Sequence, residues 1–163
     1  MEMCSTAEKG NGMVQTGKLV LDGVTFLLDD CNETEFYIFG SEEQEGTITI
    51  SFDLLFQREQ FQDDVIAPFI GINFHETGKT DLQALVGLTY GVEDLRQAND
   101  REDMFYVYEH EPLERYSFTI LEVVDQQVHL QMEGVAIIDG YADPYLTAEF
   151  SADVWLNYEC NIF

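Results

Sequence analysis

The chain has 163 residues, with 32 Asp or Glu against 7 Lys or Arg, for a formal net charge of −25. That length suits one ordinary domain burying about 70% of its unfolded surface, and the 45% hydrophobic and 13% aromatic content argues against disorder. So acidic a surface repels phosphates and anionic lipid, which argues against direct nucleic-acid or membrane-surface binding, whereas a basic partner would be steered in.

Residues 1–12 are small, polar and aperiodic and read as a flexible N-terminal arm, leaving 13–163 as a single β-rich domain. The start shows neither the positive region nor the apolar run of a signal peptide, and no apolar run nears the roughly 18 residues of a membrane span. Cys4, Cys31 and Cys160 stand at no metal or redox spacing, and their odd number leaves one unpaired in a monomer. A cytoplasmic location is the expectation. A competing reading is a processed chain in which Cys4 is a leftover lipid-attachment cysteine.

Taken in chain order, "KLVL" and "VTFLL" flank Asp22-Gly23, a pair suited to the positive φ angles of a two-residue hairpin turn. "EFYIFG" follows as a strand. "GTITISFDLLF" sets Ile48, Ile50, Phe52 and Leu54 on one face against Thr47, Thr49, Ser51 and Asp53, the pattern of a half-buried antiparallel strand. "PFIGINFHE" alternates Ile70, Ile72 and Phe74 with Gly71, Asn73 and His75, which puts Phe74 inside and His75 on the polar face. "TDLQALVGL", with Thr80 as N-cap, and "VEDLRQAN" from Val92 carry helical spacing, although "LVGLTYGV" also alternates. "MFYVYEH" is a further strand, and "RYSFTILEVV" joins "QVHLQMEGVAI" across Asp125 to Gln127 as a long hairpin. "YLTAEFSADVWLNY" alternates throughout, with Leu146, Ala148, Phe150, Ala152, Val154, Leu156 and Tyr158 on one side. Together these predict a mainly β, single-domain antiparallel β-sandwich or barrel of about 8–10 strands with one or two short helices.

Catalytic signals are thin. His75, His110 and His129 are scattered, and the stretch Tyr108 to Tyr116, "YEHEPLERY", reads as a polar turn in which Pro112 blocks ladder pairing. "DGYADP", Asp139 to Pro144, reads as a plain turn, since it lacks the calcium-loop pattern. Neither a nucleophile elbow nor a Cys-x-x-Cys pair occurs. The chain is therefore read as a non-enzyme with no catalytic residue, cofactor or metal ligand, and monomer or homodimer is left open.

What remains is the placement of charge. Residues 29–45 hold seven carboxylates and no base, and residues 93–114 hold eight against Arg96 and Arg101. Aromatics accompany both stretches, and rigid aromatics beside exposed acids suit a surface for a basic protein. The partner-binding residues expected are Glu33, Glu35, Tyr37, Glu42, Glu43 and Glu45 in the first stretch, with Glu102, Asp103, Tyr106, Tyr108 and Glu109 in the second. Their role depends on the aromatics facing outward. The leading expectation is an acidic inhibitor of the bacterial immunity or antitoxin class, capping a basic toxin or nuclease. The alternatives are a small-molecule-binding β-barrel, an exported β-sandwich binding module, and an enzyme with a dispersed site around Glu109, His110 and Glu111.

Overall fold

The computed structural model describes residues 13–161, so the arm at 1–12 and its Cys4 lie outside the described residues. Strands β1 (Thr16–Leu21), β2 (Val24–Leu27), β3 (Glu35–Gly40), β4 (Ile48–Leu55), β5 (Glu59–Phe61), β6 (Asp64–Ile66) and β7 (Phe69–Glu76) come first. After a 3-10 turn at Gln83–Leu85 come β8 (Thr89–Val92), the helix α1 (Leu95–Arg101), β9 (Met104–Tyr106), β10 (His110–Glu111), β11 (Leu113–Val124), β12 (Gln127–Asp139) and β13 (Leu146–Asn161). The fold is mainly β, as the alternation predicts. Its strands outnumber the expectation because β5, β6, β9 and β10 are only two or three residues long, too short to show a period.

Two layers share one long strand. The first sheet runs β2-β1-β13-β12-β11-β8 and the second β13-β3-β4-β7-β9-β10, while β5 and β6 form a separate hairpin. Within its 16 residues, β13 pairs β12 and β1 antiparallel and then, from Tyr158 to Asn161, turns to β3 in parallel. This parallel pairing departs from the all-antiparallel expectation. It follows from β13 outrunning β1, whose register ends at Trp155, so that the vacated edge accepts β3.

Turn chemistry fixes the hairpins. Asp22 (φ 47°) and Gly23 (φ 79°) close β1–β2, and Asp125 (φ 50°) and Gln126 (φ 69°) close β11–β12, both with the paired positive φ angles of a two-residue turn. Helix α1 begins three residues later than "VEDLRQAN" suggests, because Val92 stays in β8 and Asp94 caps the helix through the Gln97 N–H at 2.9 Å. The helix expected from Thr80 is reduced to the 3-10 turn, with Leu82 at its N-cap position and Asp81 accepting from the Ala84 N–H at 2.9 Å. Gly87 (φ 85°) then diverts the chain toward the first sheet, donating to the Ile120 carbonyl at 2.8 Å.

Buried residues from both layers form one hydrophobic cluster. Rings meet across it: Phe52 of β4 stands edge-on to Phe118 of β11 at 5.0 Å, and Phe105 of β9 meets Phe150 of β13 at 4.9 Å. Among the described residues no helix is long and apolar enough to cross a membrane. Because Phe118 packs against Phe52, Tyr90, Tyr116 and His75, Phe118→Ala should lower unfolding stability by about 3–5 kcal/mol. Urea denaturation would show this as an earlier midpoint at unchanged slope.

Candidate functional site

The alternation of β7 breaks in its middle. Ile50 pairs His75 while Phe52 pairs Ile72, so Asn73 and Phe74 together face the single residue Ser51, which is a β-bulge. Each residue beyond it changes face. Phe74 is 55% exposed and His75 is buried, the reverse of the expectation for both.

An ion pair between the half-buried Arg101 and the buried Asp103 secures the bulge. The backbone N–H of Asn73, released from the ladder, donates to Asp103 Oδ1 at 2.8 Å, and Arg101 Nε donates to Asp103 Oδ2 at 2.8 Å. Arg101 also donates to the Asn73 carbonyl, while the Asn73 amide donates to the carbonyls of Arg101 and Glu102. From the opposite sheet, the Tyr116 hydroxyl donates to Asp103 Oδ2 at 2.5 Å. With its one proton so committed, Tyr116 accepts from His75 Nε2 at 2.8 Å, so His75 carries its proton on Nε2. Burial, reinforced by Arg101 and opposed by Asp103, brings His75 down to about 4, so it is neutral at pH 7. Burial and the hydrogen bond to Asp103 push the Tyr116 phenol up.

The bulge completes a surface on the outside of the second sheet. In register across four strands lie Glu35 of β3, Asp53 of β4, Gly71 of β7 and Met104 of β9, and one step on Phe69 pairs Tyr106. Beside them Tyr37 stacks on Phe39 at 6.1 Å, and Phe39 meets Phe74 edge-on at 5.2 Å. Thr49 and Ser51, expected at the solvent, lie opposite Phe39 and Tyr37 and are buried. Burial, then the carboxylates of Glu35, Asp53 and Glu159, push the Tyr37 phenol up, and burial raises Asp53. At one end, the Ser41 hydroxyl donates to Glu76 at 2.7 Å, tying the exposed loop of Glu42, Glu43 and Glu45 to this face.

Strand β3 of the first acidic stretch and strands β9 and β10 of the second therefore belong to one sheet. Tyr37, Glu35 and Tyr106 face outward as half-buried side chains, and Glu33, Glu102 and Glu109 are exposed. Phe36 and Ile38 turn into the core, as alternation requires. Two expected residues are corrected. Asp103 is 2% exposed, with both oxygens taken by Asn73, Arg101 and Tyr116, so it cannot meet a partner. Tyr108 turns away to the β5–β6 hairpin, packing on Phe61 at 6.2 Å and donating to Gln62 Oε1 at 3.0 Å. In their place come Phe74, Asp53 and Phe69. Local sequence holds no signal for Phe74, because the bulge that turns it outward is held by a residue 30 positions away.

Other motifs have local roles. His110 leans on Tyr106 at 4.9 Å and on Met104 Sδ at 3.1 Å, and Asp139 accepts the N–H groups of Tyr141 and Ala142 at the turn it opens. Among the described residues no group of three or more His, Cys, Asp and Glu is placed to hold a metal ion. No protein family, curated protein or solved structure matches the chain.

The buried His75 makes stability depend on pH. It titrates at 6.5 when unfolded and at about 4 when folded, so between these values the unfolded chain binds more protons. Lowering the pH through that window should remove up to roughly 3 kcal/mol through this group. His75→Gln should show a shallower loss than the wild type in unfolding measured at pH 7 and pH 4.5. Equal losses in the two proteins would contradict a neutral, desolvated His75.

Proposed function

We propose that the protein is an inhibitor of the bacterial immunity or antitoxin class, working in the cytoplasm, which docks the outer face of its second sheet on a basic toxin or nuclease and covers the partner's active site. One observation carries this reading: acid-rich segments far apart in sequence fold onto a single face, where they surround exposed or half-exposed rings of Tyr37, Phe39, Phe74 and Tyr106. Rings supply area that can be desolvated at the centre of an interface, and carboxylates at the rim pair with Lys and Arg. A nuclease is basic where it holds phosphates, and carboxylates presented there would compete with substrate. The phenylalanine contacts that join the two sheets support this reading over an enclosed apolar ligand, since they occupy the space between the layers.

Two kinds of variant separate steering from anchoring. Reversing Glu42, Glu43 and Glu45 to lysine should slow association with the partner about tenfold or more at low salt, with a smaller effect at high salt. Phe74→Ala should leave association nearly unchanged and speed dissociation, weakening the complex by more than about 1 kcal/mol. The partner would be retrieved by salt-gradient elution from immobilised protein, its equal stoichiometry checked, and both rates read by surface plasmon resonance. An association rate indifferent to the triple reversal, or a partner whose nucleolytic or toxic activity survives an equimolar complex, would overturn the proposal.

A further inference from the structure

The outside of the first sheet is hollow. A cleft of about 860 Å³ has walls from Asp22, Glu93, Arg115, Glu133 and Glu149 and a floor that includes Ser117 and Ser151. A second cleft of about 400 Å³ shares Val20, Ser117, Glu133 and Ser151 with it and continues past Lys18, Gln131 and Asp153. The shared residues make the two one trough. It follows β13 from Glu149 to Asp153, a run of roughly 13 Å at about 3.3 Å per residue. Its shape comes from short side chains on the floor and from Gly91, where a Cβ would come within 2.2 Å of the Tyr116 carbonyl oxygen, so that only glycine lets β8 close the side.

The lining is chemically one-sided. Five carboxylates, Asp22, Glu93, Glu133, Glu149 and Asp153, stand against Lys18 and Arg115, and Arg115 is drawn to its neighbour Glu114 at 3.3 Å. Asp153 accepts from His129 Nε2 at 2.7 Å and Gln131 Nε2 at 2.9 Å; although burial opposes it, these bonds and Lys18 hold its carboxyl below the usual range. The side chains of Glu133 and Glu149 are exposed. At the far end His129 stacks on Trp155 at 4.5 Å and 12°.

We propose that this trough binds a lysine- or arginine-bearing peptide segment in extended conformation, lying along β13 with alternate side chains on Glu149, Glu133 and Asp153. Two features of the trough select that occupant. The outward residues Glu149, Ser151 and Asp153 recur every second position, at the same repeat of roughly 6.6 Å as the side chains on one face of an extended peptide. The excess of carboxylates over cations supplies the complementary charge. The trough lies on the opposite layer from the docking face, so this inference stands or falls separately from the proposed function.

The test uses the full chain and a blocked hexapeptide of alternating lysine and serine. Trp155 is the only tryptophan, so its fluorescence reports on one end of the trough. Saturable one-to-one binding is expected, by fluorescence and by calorimetry. Glu133→Gln combined with Glu149→Gln should weaken it about tenfold or more, and Asp63→Asn, exposed between β5 and β6 and outside the trough, should bind like the wild type. Both glutamates are exposed, and an unchanged circular dichroism spectrum and melting temperature would establish that the double variant folds. Non-saturable binding, equal affinity in the double variant, or displacement of the peptide by spermine at equal charge concentration would each overturn the proposal.

Discussion

The carboxylate of Asp103 joins three parts of the chain that local sequence keeps apart. Buried between the layers, it needs donors for both oxygens, since an unpaired charge there would cost several kcal/mol. It takes one from the N–H of Asn73, one from Arg101 at the end of α1 and one from Tyr116 on β11. The first of these is available only because β7 bulges at Asn73 and Phe74. The second depends on α1 ending at Arg101, with Glu102 in the left-handed conformation (φ 59°) as its C-cap. The third reaches across from the opposite sheet. Bulge, helix end and inter-sheet contact thus support one another, and the orientation of Phe74 and His75 follows from them.

The same constraint shapes the surface. Turned outward, Phe74 extends the ring pair Tyr37–Phe39 toward β7, while His75, turned inward, packs on Phe118 at 5.1 Å and bonds Tyr116. Without the bulge an imidazole would stand in the aromatic face and a phenyl ring would occupy the polar network. The large negative charge is carried on the two outer faces in different forms. On the second sheet, aromatic rings are rimmed with carboxylates. On the first, a trough has acidic walls and a floor of serines.

Much of the fold was legible because strand geometry is local. The alternation of "YLTAEFSADVWLNY" places Ala148, Phe150, Ala152, Val154 and Leu156 in the core, and Asp22-Gly23 and Asp125-Gln126 make the two tight turns. The helix at "VEDLRQAN" was legible as an element and displaced only at its start. The exposure of the candidate surface was legible in part: Glu35, Tyr37, Glu42, Glu43, Glu45, Tyr106 and Glu109 are exposed or half-exposed, while Asp103 is buried and Tyr108 turns to the β5–β6 hairpin. Composition marks an acid as charged but cannot say whether three donors will converge on it.

The sequence by itself determined the β class, the hairpin turns, the inward faces of β4 and β13 and the excess of negative charge. All of these follow from a two-residue period, from backbone preferences at single positions and from counting. The tertiary structure alone decided that β13 passes between sheets, that Asn73 and Phe74 share one pairing position, and that β3 and β9, from the two acidic stretches, lie in one sheet. These depend on which strand edges pair over long separations, and neither side-chain alternation nor composition carries that information.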